Sequence, residues 1–358
     1  MRKRLNVAVV GATGAVGSEM LRVLAQRRFP VHRIRLLASE RSAGRRVPFN
    51  GTAHTVEGLR GRAFEGIDVA LFSAGARRSL EFAPEAVRRG AVVVDNSSAF
   101  RMAPNVPLVV PEVNPQALRR HQGLIANPNC STIIMLVPLA PLHRAARLRR
   151  IVVATYQSVS GAGAKAMGQL YEESRRALRR LRVTRNTLRA DPALDRSAGP
   201  LPGQIAFNVI PQVDVFLENR STREEMKMVN ETRKILGAPG LAVSATCVRV
   251  PVFIAHSEAV WIETERPLSA ARAASLLRRA PGVRLVDDPG RGAYPLPIQA
   301  AGQDDVLVGR IRRDESVERG LALWVSGDNL RKGAATNAVQ IAELLVKSAR
   351  HFAGSNVR

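Results

Sequence analysis

Leu5-Asn-Val-Ala-Val-Val-Gly-Ala-Thr-Gly-Ala-Val-Gly17 is the stretch on which the fold reading rests. Its first six residues form an apolar run of strand length, and the run stops at Gly11. A helical pattern follows from Val16 to Gln26, so the three glycines at 11, 14 and 17 lie in the turn from strand to helix. Glycine lets such a turn approach a pyrophosphate closely. The helix N-terminus then presents unbonded N–H groups and a partial positive charge to the anion. Gly11, Thr13, Gly14, Ala15 and Val16 are therefore candidate cofactor contacts. Specificity is decided about 20 residues further on, at the end of the second strand. There Ala38-Ser-Glu-Arg-Ser42 offers Glu40 for a ribose hydroxyl, or Ser39, Arg41 and Ser42 for a 2′-phosphate. The arginine and the hydroxyls favour NADP over NAD.

Further strand-like runs appear at Ile34–Ala38, Asp68–Phe72 and Ala91–Val94, with a helix-like segment at Ser79–Arg89. Strands alternating with helices predict an α/β domain with a parallel sheet, continuing to about Asn129. Beyond Cys130 the pattern changes. Residues 131–148 look helical, Ile151–Gln157 is strand-like, and strand character returns at Ala242–Val252 and Ala259–Glu263, which predicts an α+β second domain. Thr184–Gly203 is polar, contains proline and glycine, and reads as an excursion or lid. Ala334–Ala349 has helical spacing and is expected to pack back on the first domain. The predicted organisation is 1–130 completed by 330–358, with 131–329 as the second domain.

The chain has 358 residues, 46% hydrophobic and 23% charged, which is enough to build packed cores. No run of 18 apolar residues and no signal-peptide core is present, so neither a membrane span nor secretion is expected, and the chain reads as cytoplasmic. Two cysteines and six scattered histidines make neither a disulfide framework nor a metal site. The net charge of +24 is unusual. The arginines are spread along the chain, aromatics are only 4%, and no RNA- or DNA-binding motif accompanies them, which favours a solvated arginine surface over a nucleic-acid partner. Seven arginines fall within 175–189. Met167, Leu170, Tyr171, Leu178 and Leu181 are expected to form the apolar face opposite them, with Glu172 pairing Arg176. Only six of the 54 basic residues are lysines, so a retained lysine carries weight.

Asn127-Pro-Asn-Cys-Ser-Thr132 follows a strand-like run and precedes a helix. A cysteine at a helix N-terminus sees the positive end of the dipole, which favours the thiolate, and its polar neighbours argue against a structural buried thiol. Cys130 is thus the candidate nucleophile, whereas Cys247 lies in an alternating strand and reads as inert. A thiolate needs a proton-transfer partner and an electrostatic stabiliser. His256 is the leading candidate for the first, and Gln157, at the end of an apolar strand, for orienting a substrate.

Seven blocks in order, GATGAVG, SSAFRM (97–102), NPNCST, YQSVSGAG (156–163), EEMKMVNETRKI (224–235), CVRVPVFIAHSE (247–258) and SGDNLRKGAATNA (326–338), resemble the aspartate-β-semialdehyde dehydrogenase family from the first strand to the last helix. The resemblance implies a Rossmann-type domain plus an α+β catalytic and dimerisation domain, usually as a homodimer, with no membrane role. It implies NADPH-dependent reductive dephosphorylation of L-aspartyl 4-phosphate to the semialdehyde through a cysteine thioester, a step toward lysine, diaminopimelate, threonine and methionine. By the same resemblance Cys130 is the nucleophile and His256 the acid/base. Gln157 and Arg249 hold the amino-acid end of the substrate, Glu224 faces its ammonium, and Arg101 and Lys227 bind phosphate. Thr13–Val16, Arg41–Ser42, Ser160–Gly161 and Asn329 match cofactor contacts. Asn129 or backbone N–H groups near Cys130 are candidates for stabilising the oxyanion. N-acetyl-γ-glutamyl-phosphate reductase is the nearest rival, but its substrate nitrogen is uncharged and has no need of Glu224. Glyceraldehyde-3-phosphate dehydrogenase is more distant in its cysteine motif, and a catalytically inactive binding homologue is disfavoured by the intact cysteine, glutamine, arginine and histidine.

Overall fold

A computed structural model describes residues 4–180, 182–183, 188–189 and 199–353. The chain divides into two units, one formed by Met1–Ala140, Asn230–Gly240 and Leu330–Arg358, the other by Pro141–Val229 and Leu241–Asn329.

The first unit is built on β1 (Leu5–Val10), β2 (Val31–Ala38), β3 (Arg46–Phe49), β4 (Thr52–Gly58), β5 (Val69–Phe72), β6 (Val92–Asp95) and β7 (Leu124–Ala126). They form one sheet in the order β3-β4-β2-β1-β5-β6-β7, all parallel except the β3–β4 hairpin at the edge. Strand β1 is covered on both faces, which is why it reads as an unbroken apolar run rather than an alternation. Val7 and Val9 point into one core with Met20, Val23 and Leu24 of α1 (Ala15–Gln26). Ala8 and Val10 point into the other, with Ala83 and Ala86 of α2 (Ala76–Arg88) and the stacked rings of Phe64 and Phe72. Sheet growth reverses direction at β1, since the chain goes outward to β2 and then returns to β5 on the other side. The carboxyl end of β1 is thus the switch point at which α/β sheets bind ligands.

The second unit follows α3 (Cys130–Ala146), whose first residues belong to unit one. It contains β8 (Leu148–Gln157), α4 (Ala164–Leu178), the two-residue strands β9 (Arg182–Val183) and β10 (Leu188–Arg189), the first half of α5 (Arg223–Leu236), whose residues from Asn230 onward belong to unit one, β11 (Ala242–Arg249), β12 (His256–Thr264), α6 (Ala270–Arg278), β13 (Val283–Leu285), α7 (Pro297–Ala300), β14 (Val306–Asp314) and β15 (Gly320–Gly327). Its sheet runs β11-β8-β12-β15-β14-β13 and is mixed. Strand β8 pairs β11 in parallel and β12 antiparallel, which brings the carboxyl ends of β8 and β11 beside the start of β12. The final helix, α8 (Thr336–Ala353), is entered through a π-helical turn at Arg331–Ala335 and packs Ala338, Val339, Ile341 and Ala342 into the β1–α1 core, as the helical spacing predicts.

Two expectations for α4 are corrected. Tyr171 and Leu178 are more than half exposed, while the buried stripe is Ala166, Leu170, Glu173 and Ala177. Glu173 takes an apolar-looking position because its carboxylate accepts the backbone N–H groups of Ile205 and Ala206, donors that need an acceptor once buried. Glu172 pairs Arg175 one turn on, at 2.9 Å, rather than showing the expected bond to Arg176. Leu181 and most of the expected 184–203 excursion lie outside the described residues.

Candidate active site

Gly11 has φ +85°, and a Cβ there would lie 2.3 Å from the carbonyl oxygen of Ser73. A Cβ on Gly17 would lie 2.1 Å from the carbonyl oxygen of Gly11. Both positions therefore require glycine: one for the turn, one for the close packing of α1 on it. Gly14 caps α1 without a side chain and the first turn has no acid, so nothing on this segment competes with an incoming anion for the helix N-terminus. Thr13 Oγ1 donates to Ser42 Oγ at 3.4 Å and thereby joins the glycine turn to the end of β2. Ser39 and Arg41 are exposed there, while Glu40 turns away to pair with Arg60 at 3.2 Å. Ala15 and Val16 open α1. These residues fit a dinucleotide carrying an extra phosphate.

In the same unit, Cys130 is the first residue of α3, a helix of 17 residues. Asn129 is its cap: its Oδ1 accepts the N–H groups of Ser131 at 3.1 Å and Thr132 at 3.2 Å. Such a cap is worth about 1 kcal/mol, and the helix dipole adds about 0.3–1 kcal/mol in favour of an anion at this end. The preceding Asn127 is also fully used. Its amide donates to Asn96 Oδ1 at 2.6 Å and its Oδ1 accepts from Asn337 Nδ2 at 2.7 Å. Asn337 in turn accepts from Lys332, a lysine 1% exposed whose ammonium also donates to Glu112 at 2.6 Å and Gln340 at 2.7 Å. Arg101 grips the loop from another side. Its Nε donates to the Asn127 carbonyl at 2.9 Å, Nη2 to the Asn96 carbonyl at 2.9 Å and Nη1 to Glu231 at 3.0 Å. Three of its five N–H bonds are engaged in this way.

The second unit holds another constellation. His256 is completely buried at the start of β12, and its Nδ1 accepts the backbone N–H of Ser158 at 3.0 Å. A backbone N–H only donates, so Nδ1 carries no proton and the neutral ring is protonated at Nε2. Burial, reinforced by the Arg249 charge, holds the imidazole well below its ordinary range. Arg249 Nη1 donates to the Ser158 carbonyl at 2.7 Å, and a Cβ on Gly161 would lie 3.0 Å from Arg249 and 3.3 Å from the His256 ring, so glycine leaves these two groups room. Asn329 Oδ1 accepts from Ser158 Oγ, Ser160 Oγ and the N–H of Ala255, which fastens 158–161 to the entrance of β12. Gln157 Nε2 donates to Glu224 Oε1 at 3.3 Å. Lys227 donates to Glu224 at 3.1 Å and Asp214 at 2.8 Å. Burial works against that ammonium, but the two carboxylates outweigh it and hold Lys227 protonated above its ordinary value.

The expected residues thus fall into two sets, each assembled within one unit. Arg101, Asn129 and Cys130 lie with the glycine turn. Gln157, Ser160, Gly161, Glu224, Lys227, Arg249, His256 and Asn329 lie together in the other. Asp214, Glu231 and Lys332 escaped the sequence reading. For Glu231 a signal existed: it stands seven residues after Glu224, two turns along the same face of α5. Among the described residues there is no cluster of metal-ligating side chains and no helix long and apolar enough to cross a membrane.

Residues 6–121 match the family described as semialdehyde dehydrogenase, NAD binding domain, and residues 139–332 the semialdehyde dehydrogenase, dimerisation domain. Aspartate-semialdehyde dehydrogenase of Aquifex aeolicus is 52% identical over 95% of this chain and 98% of its own. That of Bacillus subtilis is 51% identical over 97% and 99%. The crystal structure of aspartate semialdehyde dehydrogenase II from Vibrio cholerae superposes with a TM-score of 0.89 at 48% identity, covering 96% of this chain and 99% of that one, as does its complex with ASA. A cysteine on a capped helix N-terminus, in the same unit as a dinucleotide-type turn and on a chain matched over 95% of its length, leaves one conclusion: it belongs to the aspartate-semialdehyde dehydrogenase family.

Proposed function

We propose that this chain reduces L-aspartyl 4-phosphate to L-aspartate 4-semialdehyde with NADPH, and runs the reverse, phosphate-dependent oxidation, with Cys130 as the nucleophile. The observation that carries the reading is the placement of Cys130 at the first position of the capped helix α3, where N–H groups and dipole favour a thiolate. Cys130 Sγ attacks the acyl carbon, the bond from that carbon to the phosphate oxygen breaks, and phosphate leaves behind a thioester. Arg101, with two N–H bonds uncommitted, meets the departing phosphate, and Lys227 adds positive charge. N–H groups at the start of α3 and the Asn129 side chain receive the tetrahedral oxyanion. The glycine turn and the N-terminus of α1 would hold the pyrophosphate of NADPH, which when bound would supply the hydride that reduces the thioester. As the aldehyde forms, the carbon–sulfur bond breaks and the Cys130 thiolate returns. His256, neutral and protonated at Nε2, shares that proton with the oxygen left negative by hydride transfer and keeps it as that oxygen becomes the aldehyde carbonyl. Arg249 suits the substrate carboxylate through paired N–H bonds, Gln157 orients the chain, and the buried carboxylate of Glu224 suits its ammonium. A substrate whose nitrogen is acylated could form no ion pair with Glu224, which favours the aspartyl substrate over the N-acetylglutamyl analogue.

NADP rather than NAD is supported by Arg41, exposed beside Ser42 with Glu40 drawn off to Arg60. A homodimer is supported by the match to a dimerisation domain and by exposed Phe207, Val209, Val215 and Phe216 in the second unit. A reducing compartment such as the cytoplasm is supported by the free thiols, since a thiolate nucleophile is silenced by oxidation. The deciding experiment measures NADP⁺ reduction with aspartate semialdehyde and phosphate beside the N-acetylglutamate analogue. Turnover of the first that stops without phosphate is expected, and turnover of only the second overturns the substrate assignment.

A further inference from the structure

The cap of α3 is incomplete by its own sequence. In a capping box the third helical residue, a Glu or Gln, reaches back to the N–H of the cap. Here that position is Thr132, whose hydroxyl has no hydrogen-bond partner among the described residues, and Ser131 Oγ has none either. The N–H of Asn129 instead donates at 2.6 Å to the carboxylate of Glu231, 102 residues further along the chain. Glu231 is 1% exposed, and its other oxygen accepts Arg101 Nη1 at 3.0 Å.

We propose that Glu231 is a positioning residue that completes the cap of the Cys130 helix from a distant segment and, with its second oxygen, holds Arg101 in register with the cysteine loop. Three features argue for this beyond a mere buried ion pair. The two contacts converge on the Asn-Pro-Asn segment from both ends, Arg101 on the Asn127 carbonyl and Glu231 on the Asn129 N–H. Pro128 between them offers no N–H of its own and a restricted φ, so fixing its two neighbours fixes the approach of the chain to Cys130. A carboxylate is also suited to a helix N-terminus, and the Arg101 charge keeps it from opposing a thiolate next to it.

This rests on Cys130 being the reacting thiol, so the test separates the two. Glu231→Ala removes both contacts. Glu231→Gln keeps an oxygen for the Asn129 N–H but turns an amide N–H₂ toward Arg101, which cannot accept. Iodoacetamide labelling at Cys130 is followed by mass spectrometry without turnover, and the phosphate KM is read in the oxidative assay. Glu231→Ala is expected to slow Cys130 labelling at pH 7 several-fold and to raise the phosphate KM about tenfold. Glu231→Gln is expected to restore the labelling rate while the phosphate KM stays raised. If both variants lose thermal stability only, with unchanged labelling and phosphate KM in the folded fraction, the proposal is overturned. If labelling shifts as expected while Cys130→Ala still turns over, Glu231 stands and the nucleophile assignment fails.

Discussion

The two cysteines occupy opposite environments. Cys130 stands partly accessible at the head of α3, and Asn129 just before it caps that helix and donates its own N–H to Glu231. Cys247 sits in the middle of β11 with no exposed surface, 3.7 Å from the sulfur of Met228, and burial, aided by the Glu224 charge, pushes its thiol far up. One thiol stands partly accessible at the positive end of a helix, and the other is sealed inside a sheet away from water. The same contrast separates the retained lysines from the arginines. Lys234 donates to the carbonyls of Arg101, Ala103 and Val106, and Lys332 to three side-chain oxygens. A compact ammonium fits three converging acceptors where a planar guanidinium does not.

The comparison can be broken most sharply at the thiols themselves. Cys130→Ala should lower turnover by about 10⁴-fold or more while circular dichroism stays unchanged. Cys247→Ala should keep its turnover and lose about 1–2 kcal/mol in urea unfolding. Equal losses of activity would end the distinction. Next in size, His256→Gln should reduce kcat by about 10²–10⁴-fold, and an unchanged rate would mean another group moves the proton. Arg41→Ala should raise the KM for NADPH about tenfold, equivalent to about 1.4 kcal/mol, and leave that for NADH alone.

The smallest effect concerns Glu258, which faces the interior on β12, flanked by Thr155 across β8. Neither carboxylate oxygen has a hydrogen-bond partner among the described residues. Burial holds its carboxyl well above the ordinary range. The unfolded chain ionises this group near pH 4.3, so its contribution is fully present below that pH and is lost as pH rises toward the folded value. Glu258→Gln should therefore raise Tm at pH 8 and not at pH 4. A gain of equal size at both pH values would show that the carboxyl is not forced neutral.

Local signals carried a large part of this. The apolar run before Gly11, the glycine spacing and the helical period after it need only neighbouring residues, because strand, turn and helix are each set by short-range geometry. The N-terminus of α3 was legible for the same reason, through Asn129 and the polar residues around Cys130. Strand limits were less so. Strand β2 begins at Val31 although His32, Arg33 and Arg35 obscure its apolar pattern, and β12 begins at His256, where the sequence shows only a lone histidine.

By itself, then, the sequence determined that a parallel α/β domain opens with a dinucleotide turn and that a cysteine heads a helix, since both are written in contiguous residues. Tertiary structure alone decided which groups hold the Asn-Pro-Asn loop that leads to that cysteine. Glu231 and Lys332 lie 101 and 202 positions from it, and a buried carboxylate or ammonium gains its role only when folding brings acceptors and donors to it and removes the water that would otherwise satisfy them.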